Sequence, residues 1–283
     1  MRSLLAVLVV LLTGGWGSDL TVMSFNLRYG TAHDDENAWP LRRDLVVATI
    51  AAVNPDILGV QEALRFQLDE LHAALPTYAE LGVGREDGVA AGEYAAILYR
   101  RERFVVDSSG TFWLSDTPAV TGSMSWGNRI PRIATWVVLR DRETGRELAV
   151  FNTHLDHESQ PARERGVALI VERIGGLAGD VPVLVLGDFN AGEDNPAIEP
   201  LRVARFRDTY RVLDPEGTGV GTFGGFRGDS TGAKIDYVFV RGPWTVVAAD
   251  ILRRRTGARD PSDHFPVTAR LRLEPTPDGS VPR

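Results

Sequence analysis

The decapeptide Val181 to Asn190, VPVLVLGDFN, restricts this chain more than any other stretch. Its run Val183 to Leu186 is continuously apolar, the pattern of a strand buried on both faces inside an α/β protein. The run ends in a carboxylate and an amide. Extended backbone sends alternate residues to one side, which predicts that Asp188 and Asn190 face together, with Gly187 and Phe189 opposite. A carboxylate at the edge of an apolar core is unfavourable unless a cation or strong donors compensate it. The decapeptide therefore reads either as the wall of a site or as an Asx turn leaving a strand.

The same grammar recurs. Thr21 to Asn26 (TVMSFN), Ile57 to Glu62 (ILGVQE), Leu148 to Asp156 (LAVFNTHLD) and Ile235 to Val240 (IDYVFV) each join an apolar run to polar residues, and Ser262-Asp263-His264 precedes the short run Phe265 to Val267. Alternation places Val22, Ser24 and Asn26 on one side of the first run and Asn152, His154 and Asp156 on one side of the fourth. Helical spacing covers Leu41 to Val53, with Leu41, Leu45, Ala48 and Ala52 as the expected inner face, then Ala63 to Leu75 and Ala162 to Ala178. Further strands are expected at Tyr94 to Tyr99, after the glycine-rich loop Gly82 to Gly92, at Phe104 to Val106, Thr111 to Leu114, Ala134 to Leu139 and Trp244 to Leu252. Gly217 to Gly228 reads as a flexible loop and not as a nucleotide-binding fingerprint, because it follows no clear strand and opens no helix.

In this order, SFN, QE, NTHLD, GDFN, KIDY and SDH make the chain resemble the endonuclease/exonuclease/phosphatase superfamily of metal-dependent phosphoesterases, over nearly everything after residue 20. The resemblance implies an α/β fold, a four-layer sandwich of two mixed β-sheets packed face to face and flanked by helices, with the polar strand ends at one rim. It implies that Glu62 binds metal, with Asn26 and Asp263 beside it. One or two carboxylates with several waters suit Mg²⁺, with Mn²⁺ able to substitute. His264 oriented by Asp236 would place or deprotonate the attacking water, with Asp188 the alternative base, while Asn190 and His154 hold phosphoryl oxygens. Asn152 is a further candidate for substrate contact. Tyr94 reads either as a phosphate-facing group or as a buried strand tyrosine, and Arg132 as a bidentate phosphate clamp or a surface arginine. Water is the expected nucleophile, since the chain has no cysteine and no serine sits in a strand-to-helix nucleophile elbow.

The 31 basic and 38 acidic residues give a net charge of −7, which argues against a protein built chiefly to grip a phosphate backbone. Arg2, the apolar block Leu4 to Leu12 and the small residues after it read as a secretory signal over 1–18, too short for a stable membrane anchor. The expected organisation is this signal, one domain over 19–274 and a Pro-rich disordered tail over 275–283, in a secreted or periplasmic protein. SFNLRYG and FWLSDTP look most like the deadenylase and nocturnin branch, which favours a nuclease-like phosphodiesterase acting on RNA or a nucleotide. Nucleic acid is thus a candidate partner. The alternatives are a phosphomonoesterase, a phospholipid or inositol-phosphate phosphatase, and a catalytically silent binding module on the same scaffold.

Overall fold

The computed structural model describes residues 19–253 and 259–274. The expected signal and tail lie outside them. No helix among the described residues is long and apolar enough to cross a membrane.

The first half runs β1 (Leu20–Asn26), α1 (Trp39–Val53), β2 (Ile57–Ala63), α2 (Arg65–Ala74), β3 (Tyr78–Leu81), β4 (Tyr94–Arg100), β5 (Phe104–Trp113) and β6 (Ile133–Asp141). The second runs β7 (Glu147–His154), α3 (Gln160–Leu177), β8 (Val183–Asp188), α4 (Glu199–Val203), β9 (Arg207–Asp208), α5 (Thr209–Leu213), β10 (Asp236–Arg241), β11 (Trp244–Ile251) and β12 (Val267–Leu273). These strands form two six-stranded sheets, ordered β11-β12-β1-β2-β4-β3 and β5-β6-β7-β8-β10-β9. Both are mixed: β1 runs parallel to β2 and β7 to β8, and every other pairing is antiparallel. The two expected strands at Phe104 to Val106 and Thr111 to Leu114 are one strand, β5, with a register shift between Val106 and Ser108.

The period of two decides what each face does. Val22, Ile57, Val150, Leu184, Leu186 and Val238 share the core between the sheets. Their neighbours one residue along point outward, Met23 and Leu58 against α1 and α2, and Val183 and Val185 against α3. The helix α1 turns differently from the expected face: Trp39, Arg42, Val46 and Ile50 are buried, whereas Leu41 is 53% exposed. A helix starting two residues earlier lets Trp39 anchor it, and Arg42 replaces a leucine inside because it gives hydrogen bonds to the backbone carbonyls of Leu27, Arg28 and Pro261.

Following the inward face to one end of the strands, apolar residues give way to polar ones. Val22 is followed on its side by Ser24 and Asn26, Val150 by Asn152 and His154, Leu186 by Asp188, and Val238 is preceded by Asp236. Each of these polar residues is buried. The sandwich therefore delivers its polar strand ends to one rim.

Candidate active site

The carboxylate of Asp188 stands at the centre of this rim. Its Oδ1 accepts a 2.9 Å hydrogen bond from the Asn190 backbone N–H, so the stretch is an Asx turn and a site wall at once. Asn190 has left the strand, with φ 46°, and its side-chain amide donates to the Leu155 carbonyl at 3.0 Å. The shared face expected for Asp188 and Asn190 gives way to this turn. Around Asp188 Oδ2 stand three nitrogens: Asn26 Nδ2 at 3.0 Å, His154 Nε2 at 3.6 Å and His264 Nε2 at 3.7 Å. Burial, and then the charge of Asp236, push the Asp188 carboxyl above its ordinary range.

His264 is the far end of a relay. Its Nδ1 lies 2.9 Å from Asp236 Oδ2. Burial opposes a charge there, yet the carboxylates of Asp236 and Asp188 outweigh it and hold the imidazole well above its ordinary range. Asp236 is itself braced by Thr222, whose Oγ1 accepts from the N–H groups of Ile235 and Asp236 at 2.9 and 3.0 Å. The Thr222 carbonyl takes the Phe265 N–H at 2.7 Å. The supposedly free glycine-rich loop thus ties both ends of the dyad together. It also sets the Phe223 ring edge-on to His264, with centroids 5.0 Å apart. Sequence reading missed Thr222 and Phe223; a Thr-Phe pair among glycines was the only signal, and the partners are distant in the chain.

Glu62 reaches the rim through a distortion. Strict alternation would send it away from Gln61, toward the helices. A register shift between Gln61 and Ala63, with Glu62 at φ 62°, re-aims the carboxylate. Oε1 accepts from Asn26 Nδ2 and Oε2 from the Tyr29 backbone N–H, both at 3.0 Å. Asn26 therefore bridges the carboxylates of Glu62 and Asp188 with its nitrogen, while its Oδ1 accepts from the Arg28 N–H at 2.9 Å. Asp263 adjoins this group, buried, with Oδ2 3.8 Å from Arg28 Nε. Burial raises its carboxyl.

Ligand atoms of Glu62, Asp188 and His264 all lie within 4.8 Å of one another. Two carboxylates and one imidazole, with Asp188 and His264 buried and Glu62 half-buried, fit a divalent cation by donor chemistry. Of the residues expected to hold metal, the structure thus gathers Glu62 into this group and sets Asn26 and Asp263 beside it.

Two expected substrate contacts are occupied elsewhere. Asn152 is wholly buried between the sheets; its Nδ2 donates to the carbonyls of Val60 and Ala96 at 2.9 and 2.8 Å, and its Oδ1 accepts from Gln61 Nε2 at 2.7 Å. Gly59 makes room, since a Cβ there would come within 2.8 Å of Asn152 Oδ1. Asn152 is a bolt between sheets, placed by the same inward parity that suggested the site. The Tyr94 hydroxyl donates to the Val89 carbonyl at 2.7 Å, which commits it to the 82–92 loop. Arg132 is buried and not on the surface. Its Nε lies 3.3 Å from Asp156 Oδ2 and its Nη2 2.7 Å from His157 Nδ1, with Nη1 left unpartnered. Trp113 is core, its Nε1 donating to the Arg85 carbonyl at 2.7 Å.

Comparison with known proteins agrees with this geometry. A family model described as the Endonuclease/Exonuclease/phosphatase family matches residues 23–264. The solved endonuclease/exonuclease/phosphatase from Bacteroides vulgatus is 35% identical with a TM-score of 0.83, the match covering 91% of this chain and 100% of that one. A mannosyl-6-phosphatase from Bacteroides thetaiotaomicron is 33% identical with a TM-score of 0.81, over 89% of this chain and 99% of its own. Nocturnin of Drosophila melanogaster is 28% identical over 202 residues, 64% of this chain but 30% of that protein. Family members are hydrolases of phosphoester bonds, generally dependent on divalent metal. The chain belongs to the endonuclease/exonuclease/phosphatase family.

Proposed function

We propose that this protein is a Mg²⁺-dependent phosphatase that hydrolyses a sugar phosphomonoester by direct attack of water. The observation that carries the chemistry is Asp188 Oδ2 ringed by Asn26, His154 and His264, with Glu62 alongside. Glu62, with Asn26 and the adjoining Asp263, would hold the cation, which when bound would neutralise charge on the phosphoryl oxygens. Asp188, its carboxyl raised by burial, is suited to orient the water and take its proton, and Asp236 keeps His264 turned toward the same point. His154, pushed down to about 3 by burial and next by Arg132, is neutral and supplies a hydrogen bond, not a charge, to a phosphoryl oxygen.

The ester class rests on likeness. The mannosyl-6-phosphatase is 33% identical to this chain, against 28% for the segment shared with nocturnin, which favours a monoester over the diester drawn from short motifs. A nucleotide or RNA ester is the second reading, favoured by the nocturnin match and the SFN and FWLSDTP stretches. Export is part of the proposal and rests on residues 1–18.

Phosphate release is the test, measured on mannose 6-phosphate and other sugar phosphates beside RNA and bis-p-nitrophenyl phosphate, with Mg²⁺, Mn²⁺ or chelator. Metal-dependent turnover is expected to be fastest on a sugar monoester. Preference for RNA or the diester would install the second reading, and folded protein inert on all of them would favour a binding module. Fractionation of expressing cells is expected to place the mature chain outside the cytoplasm.

A further inference from the structure

Behind the His154 ring, on the side away from Asp188, lies a cavity of about 10 Å³ lined by Arg85, Glu93, Tyr94, Arg132 and His154. That volume is close to the space one water needs. Three buried nitrogens of its walls have no hydrogen-bond partner: Arg85 Nε, Arg132 Nη1 and His154 Nδ1. The fourth polar neighbour is Glu93, whose Oε2 is 3.7 Å from His154 Nδ1, a separation at which a water can bridge. Glu93 is fixed there by paired bonds from Arg85 Nη1 and Nη2, at 2.8 and 2.7 Å.

The geometry points to one bound water in this cavity, through which Arg85 and Arg132 lock His154 as its Nε2–H tautomer. A water accepts two hydrogen bonds and donates two. Guanidinium nitrogens only donate, so Arg85 Nε and Arg132 Nη1 fill both acceptor positions. Its two hydrogens then go to Glu93 Oε2 and His154 Nδ1, satisfying all four walls. The opposite tautomer would bring three donors and one acceptor to the same water and leave a buried donor unsatisfied. With Nδ1 accepting, the ring proton sits on Nε2, the nitrogen 3.6 Å from Asp188 Oδ2, where a phosphoryl oxygen can receive it. Arg132 is thus a positioning residue acting through His154, a role that neither of its two sequence readings, phosphate clamp or surface arginine, gave it. Only the kinetic part of this inference rests on the proposed phosphatase reaction.

The test is ¹⁵N NMR of the imidazoles in the full-length protein, read with steady-state kinetics and a high-resolution crystal structure. His154 is expected to show a protonated Nε2 and a bare Nδ1, with a water peak within hydrogen-bonding distance of all four groups. Arg132→Met is expected to move the proton to Nδ1, toward Glu93, and to lower kcat about 10- to 100-fold with KM little changed. Arg132→Gln, which keeps a donor, is expected to restore part of both. A wild-type Nδ1–H tautomer, a dry cavity, or an unmoved tautomer in Arg132→Met would each overturn the inference. The wild-type spectrum decides even if the variants fail to fold. Absence of phosphoester turnover with the expected tautomer present would refute the proposed function and leave the lock standing.

Discussion

Asp236 and Gly187 carry the sharpest expectations for single residues. Asp236 touches His264 Nδ1 at 2.9 Å, so Asp236→Asn leaves the shape and removes the charge that orients the ring. Turnover is expected to fall roughly 10²- to 10⁴-fold with the melting temperature little changed, as steady-state kinetics and calorimetry would show. Unchanged turnover would reject the dyad. Gly187 has φ 152°, and a Cβ there would meet the Thr153 carbonyl oxygen at 2.2 Å. Backbone cannot yield as a side-chain tip does, so Gly187→Ala is expected to cost more than about 4 kcal/mol, at the exceptional end for one substitution. Urea unfolding measures it. The glycine of GDFN thus serves close strand packing, and the aspartate after it serves the site.

Between elements, polar residues of one parity divide into bolts and site groups. Asn152 and His154 both point inward from β7, yet Asn152 meets the carbonyls of β2 and β4 and His154 reaches the rim. Asn152→Leu would strip a donor from the Val60 and Ala96 oxygens and leave Gln61 Nε2 only Ser24 Oγ, at about 1–3 kcal/mol for each group left unsatisfied. Lower stability with KM unchanged is the expected result. A raised KM in a fully stable protein would return Asn152 to substrate contact. A comparable role belongs to Arg42, whose guanidinium joins α1 to the segments ending β1 and preceding Asp263. Although burial pushes it down to about 10, it remains charged at neutral pH.

At the scale of the whole molecule, the half-buried carboxylate of Glu62 and the buried ones of Asp188 and Asp263 gather from three distant parts of the chain. Bound cation would relieve their repulsion and stabilise only the folded state. Saturating Mg²⁺ is expected to raise the melting temperature, by about 2.7 kcal/mol of stability at one hundred times Kd, and Glu62→Gln to abolish most of the gain. Equal shifts in both proteins would place the cation elsewhere. Acid sensitivity has a separate source. Burial opposes ionisation of Glu193, but hydrogen bonds from Arg211 Nε and Nη2 at 2.6 and 2.7 Å, with Lys234 nearby, hold its carboxyl below the ordinary range. A depressed folded value means that its contribution is complete above the unfolded value, near pH ~4.3, and disappears as pH falls through the folded one. Melting temperature against pH is expected to drop less steeply on the acid side in Glu193→Gln. Parallel curves would remove Glu193 from the account.

Local sequence was enough for most of the strands, because apolar runs with period two name both their existence and the side on which polar ends emerge. Val22-Ser24-Asn26 and Leu184-Leu186-Asp188 show it, and the ordered motifs made the family legible. Alternation extends only as far as regular backbone does. Glu62 is turned to the rim by a bulge, Asn190 by a left-handed turn, and the face of α1 by a tryptophan and an arginine whose partners lie on other segments. Thr222 and Phe223 in the glycine loop, Asn152 between the sheets and Arg132 behind His154 were decided by contacts distant in sequence. Periodicity can say which way a side chain points, but what it meets there is settled only when the two sheets close on one another.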